Sequence, residues 1–124
     1  MTVPSRRRIP AAVADRVRGD LRAAATAVRA GDIDRAWGLL EEAHVLSQAW
    51  AWPHVKVHAA MLRLGWRTRD RREIAGQLLR IVVAGPGSLT GRYPLGNTGR
   101  ASVSATQPMP IRDELRALLD RGNG

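Results

Sequence analysis

The sequence has 124 residues, 44% of them hydrophobic, the size of one domain that can bury its own core. It contains no cysteine, which excludes disulfide scaffolds, thiolate metal sites and thiol catalysis. A net charge of +9 raises nucleic acid or an acidic protein as a partner, but the basic residues are nearly all arginine, with Lys56 the only lysine, and they are scattered through every segment. A solvated basic surface accounts for that scatter better than a phosphate-binding stripe.

The first residues, MTVPSRRRIPAAVADRV, are charged and lack the apolar stretch of a secretory signal. No apolar run approaches the roughly 18–20 residues of a membrane span, so a cytoplasmic location and no membrane partner are expected. Residues 1–9 read as a basic tail, 10–120 as a single helical domain and 121–124 as a second short tail.

From Pro10 to about Arg29, Val13, Val17, Leu21, Ala24 and Val28 recur every three or four residues, one face of an amphipathic helix that Gly31 ends. Asp32 is a natural N-cap for a second helix to about Gln48, with Ile33, Ala36, Trp37, Leu40 and His44 on one stripe. The run Ala49–Trp52 breaks the pattern, and Pro53 suits the opening of a third helix, which ends near Leu64 and Gly65. Asp70 with Glu73 forms a variant capping box for a fourth helix. That helix turns Ile74, Leu78, Ile81 and Val82 inward and stops at Gly85-Pro86-Gly87. Trp37, Trp50, Trp52 and Trp66 read as core and hairpin packing.

Residues 85–110 are rich in glycine and proline and form a long loop, anchored by Leu89, Tyr93, Leu95, Val103 and Met109. Its Gly-rich pieces match no phosphate-binding pattern and read as turns, with positive φ within Asn97–Gly99. Ser102 and Ser104 lack the context of a nucleophile. A short helix from Ile111 to about Leu119 closes the chain. The expected fold is all-α: a small bundle of four to five helices, in two antiparallel hairpins of tetratricopeptide type. No repeat at a fixed period supports a longer array.

All three histidines fall within this hairpin region, in EEAHVLSQAWAWPHVKVH (41–58). His54 and His58 are one helical turn apart, so both imidazoles can reach one ion. Zinc peptidases pair histidines this way, but no glutamate follows His54, so that reading lacks its general base. If the second and third helices are antiparallel, His44 lies level with the pair. Glu41 and His44 make a Glu-x-x-His pair of the kind found in carboxylate-bridged dimetal bundles. His44, His54 and His58 are therefore the candidate metal ligands, with Glu41 as a fourth. Glu41 and His58 are the candidate catalytic groups, and Gln48 is a supporting hydrogen-bond partner or oxygen ligand. Such a donor set suits a divalent zinc, copper, iron or nickel ion, and three ligands leave a coordination position open to a small-molecule substrate. The plain alternative gives each histidine a packing role: His44 bonded in the core, His54 in an exposed first turn, His58 on the loop. Gln77 and Arg80, three apart, read most simply as a polar pair on an exposed face. Two further readings are a basic helical module that binds an acidic protein or nucleic acid through Arg6, Arg7, Arg8, Arg16, Arg18 and Arg22, and metal-free acid–base catalysis by histidine. A homodimer is compatible with the pattern.

The motifs AHVLSQ (43–48), HVKVHAAMLRLG (54–65), REIAGQLLRI (72–81), PLGNTG with the following VS (94–104) and PMPI (108–111) occur in an order that resembles the bacterial domain-of-unknown-function family 3703. The likeness spans roughly residues 33–118 and implies no activity, since none is established for that family. It does imply that the three histidines, Gln48, Gln77, Arg80, Asn97, Thr98 and Gly99 occupy motif positions. Asn97 thereby becomes a candidate binding residue beside Gln48. Ser47 stands where the family pattern has glycine, and the segment before PLGNTG is more glycine-rich than that pattern. The resemblance also implies that PLGNTG…PMPI folds back over the helices, as a lid on the histidines.

Overall fold

A computed structural model describes residues 8–90, 95–101, 103 and 108–122. Among these lie five helices and no strand: α1 (Ala11–Arg29), α2 (Ile33–Ser47), α3 (Ala51–Arg67), α4 (Arg71–Thr90) and α5 (Asp113–Gly122). The all-α expectation holds, with α1 packed on α2, α3 on α4, and α2 joining the two hairpins through α3. The short α5 lies against α1. No helix among the described residues is long and apolar enough to cross a membrane.

Local chemistry sets the turns. After α1, Gly31 takes φ +79°, and the Asp32 N–H closes back onto the Ala27 carbonyl at 2.9 Å. Asp32 then caps α2 by accepting from the Arg35 N–H at 3.2 Å. The α3–α4 turn repeats this plan with Arg69 at φ +57° in the left-handed position and Asp70 N–H bonded to Gly65 O at 2.9 Å. Asp70 caps α4 through the Glu73 N–H at 3.1 Å.

Several boundaries differ from the sequence reading. Helix α3 begins at Ala51, with Trp50 as N-cap, so Pro53 is its third residue. It also runs past Gly65 to Arg67. Gly65 is a contact point, not a stop: a Cβ there would lie 3.1 Å from the Glu73 Cβ, so its bareness lets α4 approach. Helix α4 continues through Pro86 to Thr90, although proline removes one backbone hydrogen bond. The extra turn is anchored from outside, because it delivers Ser88 to the Gln48 carbonyl at 2.6 Å.

The apolar core comes from α1 (Val13, Val17, Ala24), α2 (Trp37, Leu40, Leu46), α3 (Val57, Met61, Leu64) and Leu115 of α5. Helix α4 does something else. Among its described side chains the buried ones are Glu73, Gln77, Arg80 and Ser88, whereas Leu78, Leu79 and Val82 are exposed. The inward stripe assigned to Leu78 and Val82 is therefore reversed, since α3 offers α4 buried histidines that need polar partners. Trp37 and Trp50 are buried as expected, but Trp52 and Trp66 are each 70% exposed and pack no core.

Candidate metal centre

Helix α2 carries His44 on its buried stripe, and α3 carries His54 and His58 one turn apart. The tight turn between the helices brings the three side chains level. Their Nε2 atoms form a nearly equilateral triangle: His44 to His54 3.0 Å, His44 to His58 3.0 Å, and His54 to His58 3.1 Å. All three residues are buried. The rings are splayed at interplanar angles of 66°, 71° and 42°, so they converge edge-first and do not stack.

The outer nitrogens decide the tautomers. His44 Nδ1 lies 2.6 Å from the Asn97 carbonyl, which only accepts, so Nδ1 holds the proton. His58 Nδ1 lies 2.6 Å from Gln77 Oε1. That amide is oriented by its own nitrogen, which donates to Glu73 Oε2 at 3.0 Å and Gly99 O at 2.8 Å, so its oxygen accepts from His58. His54 Nδ1 lies 2.9 Å from Ser88 Oγ. The Ser88 hydroxyl proton goes to Gln48 O, leaving the oxygen to accept from His54. In the neutral state each ring is thus protonated at Nδ1, and each Nε2 points a lone pair at the centre of the triangle.

Three lone pairs facing one another about 3 Å apart repel, and a buried unsatisfied acceptor costs about 1–3 kcal/mol. A proton could bridge them only if one ring became an imidazolium, and burial opposes that. Desolvation, followed by the neighbouring His58 and His54, holds His44 well below the usual imidazole value, against the opposing Asn97 hydrogen bond. His58 is pushed down to about 4 by desolvation with a smaller push from Arg80, against its bond to Gln77. A metal ion satisfies all three acceptors at once. Metal–nitrogen bonds of about 2.0–2.1 Å separate tetrahedral ligands by about 3.3 Å and octahedral neighbours by about 2.9 Å, and the observed triangle lies between the two. Among the described residues, these three make up the one group of close metal-ligating side chains.

Glu41 does not join them. Its carboxylate is 3.4 Å from Arg100 Nη1, and the Arg100 guanidinium is stacked 3.7 Å above Trp37. Burial raises the Glu41 carboxyl above its ordinary value, with Arg100 opposing. Gln48 is buried and ties the loop to α2, its Oε1 accepting from the Gly96 N–H at 2.8 Å. Asn97, besides holding His44, accepts from the Gly99 N–H through Oδ1 at 2.8 Å. Ser47 is fully buried, its hydroxyl on the His44 carbonyl at 3.2 Å.

The described part of the loop lies against the cluster. Gly96 and Gly99 both take φ +83°, whereas Asn97 does not take a positive φ. A Cβ on Gly99 would meet His44 Cδ2 at 2.6 Å, so the backbone there rests on the imidazole itself. Gln77 and Arg80, read as an exposed pair, are 0% and 8% exposed. Glu73, read only as a capping residue, also accepts from Arg100 Nε at 2.6 Å and from the Ala101 N–H at 3.2 Å. Ser88 was not anticipated, because Gly-Pro-Gly reads as a helix stop. Ser102, Ser104 and Tyr93 lie outside the described residues, as do the side chain of Leu89 and the tail arginines Arg6 and Arg7.

Fold and site together define a small all-helical protein with a buried cluster of three histidines capped by a glycine-rich loop. No curated protein and no solved structure matches it. The chain belongs to the family described as protein of unknown function DUF3703, whose model matches residues 11–119 and so includes α1 as well as the motif-bearing segments.

Proposed function

We propose that this chain binds one transition-metal ion through the Nε2 atoms of His44, His54 and His58. The observation that carries this reading is the set of three Nδ1 hydrogen bonds, to Asn97, Gln77 and Ser88, which leaves three inward lone pairs on a triangle of metal-binding size. Such outer hydrogen bonds fix ring orientation and raise ligand basicity in metal sites. Neutral imidazoles suit zinc, copper, iron or nickel. An ion held by three protein ligands supplies Lewis-acid or redox chemistry at its remaining positions. The chain's own part in any such reaction is to hold the imidazoles rigid and to keep bulk water away.

The basic-module reading has less support. Arg16 pairs with Asp20, Glu42 and Glu114, and Arg18 with Asp15, so these arginines are already bridged to acids.

Elemental analysis of purified, untagged protein tests the proposal, beside a variant with His44, His54 and His58 all changed to alanine. One ion per chain in the parent, absent from the variant, with a melting temperature that rises on loading, is the expected result. No metal in the parent after loading with any of the four, and no shift in melting, refutes it.

A further inference from the structure

Helices α1 and α3, the first helix of each hairpin, leave a furrow between them that none of the histidines lines. Its wider part, a cavity of about 550 Å³, is lined by Leu21, Val28, Leu40 and Leu64 together with Arg29, Lys56, Arg63 and Arg67. Leu40 and Leu64 are each 3% exposed and form its floor, whereas all four cations are exposed and form its rim. A narrower part of about 160 Å³ shares Leu21 and Lys56 with it and continues past Val17 to Ile9, Pro53 and Trp52. Early residues of α1 thus face early residues of α3, and late face late, so the two helices run in parallel and the furrow follows them. No acidic residue lines either part. Among the described residues none of the four cations forms an ion pair, and Arg29 donates to the Thr26 hydroxyl at 3.2 Å. The acids nearest to them in sequence, Asp32 and Asp70, cap α2 and α4. Arg18, in the narrow part, is tied to Asp15.

The charge is unevenly placed along this furrow. Arg29, Arg63 and Arg67 gather where α1 and α3 finish, Lys56 lies midway, and the opposite end is bordered by Ile9, Val17 and the 70% exposed Trp52. We infer that the furrow binds a single-chain anionic amphiphile of the fatty-acid type, taken up as a free molecule. Its carboxylate sits among Arg29, Arg63 and Arg67, and its tail lies over Leu21 toward Trp52. Guanidinium forks match the two oxygens of a carboxylate, and the apolar floor gains by leaving water. The volume is that of a small-molecule site, which typically holds about 300–1,000 Å³. The length agrees as well: from Trp52 to Arg67 α3 rises about 22 Å, and an acyl chain that fills half of a bilayer's roughly 30 Å core is about 15 Å long before its headgroup is added. An acidic partner helix would call for cations along the whole furrow, whereas a cluster at one end suits one headgroup. The apolar floor lies beneath a cationic rim, where a flat membrane surface does not reach. The inference stands apart from the metal-binding reading, since the two sites share no residue.

The test titrates the full chain with oleate below its micelle concentration, followed by calorimetry and by tryptophan emission. One oleate per chain is expected, with a blue shift as Trp52 leaves water; Trp52→Leu should lose most of that shift. Oleyl alcohol, which keeps the tail without the charge, should bind tenfold or more weakly. The double variant Arg63→Gln/Arg67→Gln should also bind oleate tenfold or more weakly. Ala25→Glu puts a carboxylate on an exposed position of the same lining, where it does not disturb the core, and should abolish binding. Circular dichroism melts confirm that each variant is folded. Oleate affinity equal to the parent's in the double arginine variant, or equal affinity for the alcohol, overturns the inference. Several oleates per chain, unaffected by Ala25→Glu, overturn it as detergent-like association. No saturable oleate binding overturns it too, and capture of a synthetic acidic amphipathic peptide or of phosphatidylglycerol vesicles in its place would assign the furrow to that occupant.

Discussion

Replacing Gly99 by alanine tests whether the loop backbone sets the position of the His44 ring. The residue sits at φ +83°, a left-handed conformation that costs an L-side chain about 1–2 kcal/mol. The new methyl would lie 2.6 Å from His44 Cδ2 and 2.7 Å from Cγ, against an ordinary carbon contact of about 3.5–4.0 Å. Ring and loop must therefore part by roughly 1 Å. The His44 ring is held on the same loop by its 2.6 Å bond to Asn97 O, so parting them stretches or breaks a buried hydrogen bond, worth about 1–3 kcal/mol. The combined loss is about 2–5 kcal/mol, or a fall of roughly 8–20 °C in melting temperature for a domain of this size. Metal affinity should drop about 10–100-fold, since one of three nitrogens leaves the triangle. Gly38→Ala is the matched control. It lies on the same helix as His44, a Cβ there meets nothing within 4 Å, and it should gain about 0.5–1 kcal/mol. Melts followed by circular dichroism, with metal titrations against a chromophoric chelator, separate the two. If Gly99→Ala melts with the control and binds metal like the parent, the loop does not set the ring.

Three further outcomes follow from named contacts. Gln77→Ala leaves His58 Nδ1 and Glu73 without their amide and should cost about 1–3 kcal/mol; an unchanged urea midpoint would contradict the tautomer assignment. Leu79→Gln and Val82→Gln, at 64% and 71% exposed, should each stay within about 0.5 kcal/mol of the parent; a loss near the roughly 1.5–3 kcal/mol of a buried aliphatic side chain would put α4's apolar stripe back in a core or an interface. Asp20 is buried against Glu42, with Arg16 alongside, and desolvation raises its carboxyl to about 8. Its folded value exceeds its unfolded one, so its contribution to stability is complete below about pH 4 and is lost as pH rises through about 8. Asp20→Asn cannot ionise, so its melting temperature should gain on the parent's steadily from pH 5 to pH 8; parallel curves would disprove the buried proton.

Much of the site was visible in the linear pattern. Three histidines in one hairpin, two of them at helical spacing, identify the candidate ligands, because an i, i+4 pair shares a helical face whatever surrounds it. Glu41 shows where that rule fails. It shares a face with His44, but Arg100, distant in sequence and stacked on Trp37, draws its carboxylate elsewhere. Spacing places a Cβ, and the competing partners in space decide where the charged end goes. The same limit explains Gln77 and Ser88: nothing local distinguishes a buried amide or hydroxyl from an exposed one until its partner on another helix is known.

The sequence alone therefore determined the all-helical class, the α1–α2 turn at Gly31 and Asp32, the Asp70 cap and the His54–His58 pair, all of which depend on contacts within about one helical turn, whereas the packing of α2 on α3 brought His44 to that pair. Tertiary structure alone decided which face of α4 is buried. Helical periodicity favours Leu78 and Val82, and it is overruled because the surface α3 presents carries buried imidazoles. It also carried α4 through Pro86, since Ser88 on that last turn bonds both His54 and Gln48. Buried polar groups must find hydrogen-bond partners wherever the chain can supply them, and in this fold that requirement outweighs local helix preferences.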